Sequence, residues 1–129
     1  MSAIRFLDRH MGLGPYLTLV IDQAGMDAVC KKLRCPQVPR FVNSGSYATT
    51  HTFEKSGDAP ACVIGIDDSN VPDPIEVAAI LVHEAVHVWQ QHCKDIGETN
   101  PGDEQEAYAI QFISSRLMRE YTRQKAKAK

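Results

Sequence analysis

The chain has little of several features that mark specialised classes of protein. It has 129 residues, and its most apolar stretch, residues 77–82, lies between Glu76 and His83. That stretch is far shorter than the roughly 20 residues that a membrane-spanning helix needs. The formal net charge is only -2, which gives no general attraction to nucleic acid. These shortages exclude a membrane-spanning protein and disfavour a nucleic-acid-binding one.

The cysteines are few and irregularly spaced. They form no CxxC pair and no regular framework, and no secretion signal begins the chain, since Arg5, Asp8 and Arg9 interrupt any apolar run. This pattern favours reduced thiols in a cytoplasmic protein. The four cysteines are Cys30, Cys35, Cys62 and Cys93.

The composition is that of one folded domain. Hydrophobic residues make up 43% of the chain, which is enough to bury a core at this length. Residues 116–129 hold six cations and one acid. We expect a single domain over residues 1–123 and a disordered basic tail over residues 124–129.

Strand and helix signals alternate along the chain and predict an α+β fold. Thr, Tyr and Phe are frequent around residues 46–55, a Ser-Gly-Asp turn follows, and residues 60–67 are apolar, which is typical of an antiparallel hairpin. The sheet is therefore predicted to be small and mostly antiparallel. The other predicted elements are strands at 16–22 and 38–43 and helices at 26–33, 74–93 and 101–123.

The helix predicted over residues 74–93 has several agreeing end signals. Asp73 suits the N-cap, Pro74 suits the first helical position, and Glu76 suits a capping box. Gly97 is placed to end the helix in a left-handed conformation. The first half of this helix is apolar nearly all round, which predicts burial.

That helix carries the pattern His83-Glu84-Ala85-Val86-His87, an HExxH motif. Residues four apart lie on one face of a helix, so both imidazoles are able to reach one metal ion. Glu84 lies beside the first histidine and is placed to take a proton from a metal-bound water. The motif predicts one Zn²⁺ per chain, with His83 and His87 as ligands and Glu84 as the catalytic base.

A hydrolytic zinc site needs a third protein ligand. Asp103, Glu104 and Glu106 open the next predicted helix, which a short connection returns towards the HExxH helix. Glu106 continues the apolar stripe of that helix and therefore faces inward by periodicity. Candidate edge residues of a cleft, Tyr47 and His51, lie on the Thr-rich strand.

An HExxH motif followed by a glutamate on the next helix resembles the gluzincin metallopeptidases in a minimal form. The segments HEAVHVWQ and EQEAYAIQ are also similar to those of small proteins from phage and prophage genomes. The resemblance covers residues 73–118. It implies a zincin core and zinc-dependent hydrolysis of peptide bonds in a peptide or protein substrate. The alternative is a phage or bacterial regulatory or binding protein that retains the metal site without peptidase activity.

The resemblance also bears on the third ligand. Gluzincins often place a small residue three positions after the ligand glutamate, and Glu104 with Ala107 fits that pattern. This comparison favours Glu104, whereas periodicity favours Glu106. Tyr108 occupies a position where many relatives have Asp or Asn, so the support of the ligand histidines departs from the family.

Overall fold

A computed structural model describes residues 4–7, 14–54 and 60–127 of the chain. It confirms an α+β fold in which a small sheet is packed between helices. The strands are β1 (Tyr16–Val20), β2 (Ala48–Phe53) and β3 (Ala61–Ile66), and the helices are α1 (Gln23–Leu33), α2 (Pro74–Ile96) and α3 (Asp103–Lys127).

The sheet has the strand order β1-β3-β2 and is mixed. The predicted hairpin is confirmed, because β2 pairs antiparallel with β3; its connection, residues 55–59, lies outside the described residues. β1 pairs parallel with β3, with Tyr16 opposite Ala61. The expectation of a mostly antiparallel sheet is therefore wrong. The chain crosses over through α1 before it returns, so β3 runs in the same direction as β1.

The two faces of the sheet bury separate cores. Leu19 and Ile64 lie on the face covered by α2 and α3, where Leu81 and Leu117 complete the larger cluster. Val20 and Val63 lie on the other face, where α1 covers them in the smaller cluster. The strands alternate between these faces with a period of two.

Residues 38–43 form no strand, contrary to prediction. This segment instead crosses one face of the sheet at Gly65, where a Cβ atom would lie only 1.7 Å from the Phe41 carbonyl oxygen. The same oxygen is 3.0 Å from His51 Nε2 on β2. Residues 38–43 therefore pack over the sheet. Glycine is required at position 65 because any side chain there would collide with the Phe41 backbone.

The ends of α2 match their sequence signals. The Asp73 carboxylate accepts a hydrogen bond from the Ile75 backbone at 2.9 Å, and Gly97 ends the helix with φ of 72°. α3 then runs antiparallel to α2 and packs against it, with buried Ala109 on α3 and Ala85 on α2 in the same cluster. These caps position the HExxH residues beside β2.

The helix α3 continues beyond the boundary predicted at residue 124. Gln124 is 4% exposed, and its amide donates to the Leu19 carbonyl oxygen at 2.8 Å. Lys125 pairs with Asp68 at 3.1 Å. The Lys-rich composition suggested a tail, but these two contacts attach residues 124–127 to the domain. Residues 128–129 lie outside the described chain.

Candidate metal centre

The two histidines of the HExxH motif lie together on the exposed face of α2. The His83 and His87 rings are 4.9 Å apart between centroids and meet at an angle of 73°. Both are exposed, and the His83 side chain retains 69% of its accessible surface. Two solvent-accessible imidazoles one helical turn apart provide two nitrogen donors for a single metal ion.

Glu84 points inward from the same turn and is 6% exposed. Its Oε1 accepts a hydrogen bond from the Thr50 hydroxyl on β2 at 2.7 Å. Its Oε2 lies 3.9 Å from His83 Nε2 and accepts no hydrogen bond from the described residues. One carboxylate oxygen is thus fixed by the sheet while the other retains its capacity to accept a proton.

Sequence reasoning did not identify Thr50. Alternation along β2 places Ala48, Thr50 and Thr52 on the face towards α2, and His51 on the opposite face. His51 contacts the Phe41 carbonyl and does not line the groove, and Tyr47 is an exposed residue before β2. Neither residue is therefore placed to assist the HExxH motif. The period of two, counted from the apolar neighbour Ala48, could have indicated Thr50.

An open groove of about 390 Å³ separates α2 from β2 and contains the motif. Its walls are polar: the β2 side contributes hydroxyl groups and the Asn43 amide, and the α2 side contributes the amides of Gln90 and Gln91 and the cation of Lys94. The residues that line it are Asn43, Ala48, Thr49, Thr50, Thr52, His83, Glu84, His87, Gln90, Gln91 and Lys94.

Gln90 lies beside the second histidine. Its Oε1 is 3.1 Å from His87 Nδ1. In the tautomer that carries its proton on Nδ1, this nitrogen donates to the Gln90 carbonyl oxygen, and the lone pair of Nε2 is available to a metal. Gln90 therefore orients the His87 ring by the kind of contact that metal-binding histidines usually make.

The two candidate glutamates for the third ligand lie elsewhere. Glu106 faces α2, as its periodicity predicted, but its Oε2 accepts a hydrogen bond from buried Trp89 at 2.9 Å. Glu104 is exposed and does not line the groove. No group of three or more His, Cys, Asp or Glu residues in the described ranges is close enough to hold a metal. The structure thus brings together His83, Glu84 and His87 without Glu104, whose role as a ligand stays a prediction.

A second buried carboxylate, Glu120 on α3, was also missed from the sequence. Glu120 is 1% exposed and accepts hydrogen bonds from Arg5 Nε at 3.1 Å, Arg123 Nε at 2.8 Å and Gln124 Nε2 at 2.8 Å. Burial alone would raise its pKa, but the bonds from Arg123 and Gln124 and the charge of Arg123 hold the pKa below its usual value. Its helical spacing from buried Ile113 and Leu117 was the available signal.

Asp68 joins the loop after β3 to the end of α3. The Tyr121 hydroxyl donates to Asp68 Oδ2, and Lys125 lies 3.1 Å from the same oxygen. Burial opposes ionisation of Asp68, but these two partners lower its pKa; burial and the same contact raise the pKa of Tyr121 to about 12. These groups form a structural connection, and none of the three lines the HExxH groove.

Comparisons with known proteins add no family assignment. The chain matches no family model, no curated protein and no solved structure. None of the described helices carries an apolar stretch sufficient to cross a lipid bilayer. The functional interpretation therefore depends on the residues of the groove themselves.

Proposed function

We propose that this protein is a zinc-dependent peptidase similar to the gluzincins, with His83 and His87 as metal ligands and Glu84 as general base. One observation carries the proposal. Two exposed imidazoles and a carboxylate oxygen that accepts no hydrogen bond from the described residues share one groove, which β2 lines on its other side. A buried carboxylate without a cationic partner is costly, and a role in proton transfer accounts for its position.

The chemistry of the donors fits zinc at two positions. Neutral imidazole nitrogens are common zinc ligands, and both rings are accessible in the groove. Zinc bound there would polarise a peptide carbonyl and lower the pKa of a bound water. The third ligand is the unassigned part of the site, with Glu104 and Glu106 as the candidates on α3.

The chain's own residues divide the remaining work. Glu84 takes a proton at Oε2 and delivers it to the leaving amine, while Thr50 holds Oε1 and fixes the plane of the carboxylate. Gln90 keeps His87 in the tautomer that has Nε2 free. The polar walls, which include Asn43 and Thr49, offer hydrogen bonds to the backbone of an extended peptide.

The alternative is a binding or regulatory protein that retains the metal for structure. It is favoured by the absence of a third ligand beside the two histidines within the described residues. This alternative does not explain the second carboxylate oxygen of Glu84, because a structural metal site requires no base. A nucleic-acid-binding role has less support, since Lys94 is the one Lys or Arg lining the groove among the described residues.

Metal content and peptide cleavage test the proposal directly. The purified protein should bind about one zinc per chain, and His83→Ala should abolish this binding. The matched control is His92→Ala, which removes a histidine from the same helix but outside the groove. Zinc-loaded wild type should cleave members of a peptide library, whereas Glu84→Gln should retain zinc and lose turnover by about 10²–10⁴-fold.

The outcomes separate the two functions. Zinc binding without cleavage of any peptide would support the regulatory alternative. Failure of the wild type to bind zinc would remove both. Loss of zinc in Glu84→Gln would show that Glu84 is a ligand, contrary to the role proposed here.

The third ligand has its own experiment. Glu104→Ala should weaken zinc binding strongly, while Glu106→Ala should weaken it less, because the Glu106 carboxylate is engaged with Trp89. Zinc titration of both variants decides between them. Tight binding by Glu104→Ala together with loss in Glu106→Ala would reverse the assignment.

A further inference from the structure

The C-terminal end of α1 brings two cysteines together. Arg34 adopts a left-handed conformation with φ of 58°, and its N–H bonds to the Lys31 carbonyl at 3.2 Å. The Cys35 N–H then bonds back to the Cys30 carbonyl at 3.0 Å. These two bonds define a Schellman motif, in which the residues corresponding to Cys30 and Cys35 regularly touch.

The side chains of the two cysteines are neighbours as well. Cys35 packs against the small core cluster that contains Cys30. Both are free thiols in this structure. The other two cysteines, Cys62 and Cys93, are buried in the larger cluster, on the opposite face of the sheet from this pair.

The two thiols differ in access. Cys30 is 1% exposed, whereas Cys35 is partly exposed and lines an open cavity of about 770 Å³. Burial, and then the neighbouring Cys35, raise the pKa of Cys30 to about 11. A disulfide reagent from solution therefore meets Cys35 first, because Cys30 is both shielded and harder to ionise.

The same cavity has features that suit a small anionic reagent. Lys32 and Arg34 line it together with Cys35, and Glu54 is the one acid among the described residues that line it. Tyr16 and Phe53 add apolar surface. The space is sufficient for a peptide of a few residues that carries carboxylates.

We propose that Cys35 is a site of thiol–disulfide exchange with small anionic disulfides of the glutathione type, and that Cys30 is its resolving cysteine. This modification is independent of the proposed peptidase activity, since the pair lies on the opposite face of the sheet from the HExxH groove.

The exchange proceeds in two balanced steps. The Cys35 thiolate attacks one sulfur of the reagent, a protein–glutathione disulfide forms, and one glutathione thiolate leaves. The Cys30 thiolate then attacks the Cys35 sulfur, which forms the Cys30–Cys35 disulfide and releases the second glutathione thiolate. The two protons of the protein thiols pass to solvent or to the departing thiolates, and the reagent supplies both oxidising equivalents.

Mass spectrometry after treatment with oxidised glutathione tests the proposal. The wild type should lose two thiols without retaining an adduct, and trypsin should release two peptides joined by the new disulfide, because it cuts at the lysines and arginine between the cysteines. Cys30→Ser should accumulate one stable glutathione adduct on Cys35. Cys30→Ala serves as a second variant if the serine is not tolerated in the core.

Controls separate the site from general thiol reactivity. Cys35→Ser should remain unmodified over the time in which the wild type reacts completely. A stable adduct on the wild type, or equal reaction of Cys35→Ser, would overturn the proposal. Lys32→Gln should slow the reaction with glutathione disulfide several-fold while leaving that with neutral hydroxyethyl disulfide unchanged. Equal slowing of both would contradict recognition of the anion.

Discussion

Two buried carboxylates, Glu84 and Glu120, lie on neighbouring helices that cover the same face of the sheet. Glu120 receives hydrogen bonds from Arg5, Arg123 and Gln124, so its charge is compensated where it is buried. Among the described residues, Glu84 receives one hydrogen bond, from the neutral Thr50 hydroxyl. The difference teaches how to separate structural from reactive carboxylates. The fully bonded group stabilises the fold, and the partly bonded group beside accessible histidines is the candidate for chemistry.

The largest effect on stability is expected from Glu120→Ala. The substitution removes the buried acceptor of hydrogen bonds from Arg5, Arg123 and Gln124, so the free energy of unfolding should fall by roughly 3 kcal/mol. Urea denaturation of the variant measures this change. Exposed Arg119→Ala on the same helix is the control and should change stability by less than about 0.5 kcal/mol. Equal stability of the two variants would end the structural interpretation of Glu120.

Truncation after Arg123 should have the next largest effect. It removes the Gln124 amide from the Leu19 carbonyl and Lys125 from Asp68. The expected loss is about 2 kcal/mol, mostly from the buried carbonyl left without its donor. Truncation after Lys127 retains both contacts and is the matched control. If the two truncated proteins unfold at the same denaturant concentration, residues 124–127 are dispensable, as their composition first suggested.

The acid limb of the stability curve provides a further comparison. Burial raises the pKa values of Glu120 and Asp68, but their partners hold both below the ordinary values of 4.5 and 3.8: Arg123, Gln124 and Arg5 for Glu120, and Tyr121 and Lys125 for Asp68. Their contribution is therefore present above the ordinary pKa and is lost as pH falls through the lowered folded-state values. Urea unfolding between neutral pH and pH 3 should show this decline. Glu120→Gln should flatten it, and parallel curves for the two proteins would count against the ion pairs.

The smallest effect on stability is expected at Thr50, the hydrogen-bond partner of Glu84. Thr50→Val removes the hydroxyl that donates to Glu84 Oε1 and should cost about 1 kcal/mol. In a zinc-loaded peptidase the same change should lower kcat with little change in KM, and Thr50→Ser should restore it. Thr52→Val, on the same face of β2 but 3.9 Å from Cys62 Sγ, is the control. A loss of activity as large in Thr52→Val would mean that Thr50 has no special role.

Local signals in the sequence predicted those parts of the fold whose causes are local. Asp73, Pro74 and Gly97 fixed the ends of α2 because caps act within one turn. The predicted and observed bounds of β3 agree closely, because the apolar run is flanked by polar residues and only the run itself is buried. The parallel pairing of β1 with β3 could not be predicted from local signals, since it depends on how α1 crosses the sheet.

The site shows the same division. The relative positions of His83, Glu84 and His87 follow from helical geometry alone, and all three line one groove. Apolar periodicity predicted that Glu106 faces α2. It did not predict the contact with Trp89, because that contact depends on how α3 is rotated against α2. Thr50 required knowledge of which face of β2 meets α2. Residues 38–43 were wrongly predicted to form a strand. They pack against the backbone at Gly65, and this contact leaves no pattern in their own sequence.

The strand order has a consequence for the rate and order of folding. The pairs α2–α3 and β2–β3 join segments that are adjacent along the chain, so their loops close at little entropic cost. β1 must instead find β3 across the whole of α1 and β2, with Tyr16 opposite Ala61. Non-local pairings of this kind slow folding. We expect the two hairpins to form first and β1 to dock last, so substitutions at Leu19 should accelerate unfolding more than they slow folding.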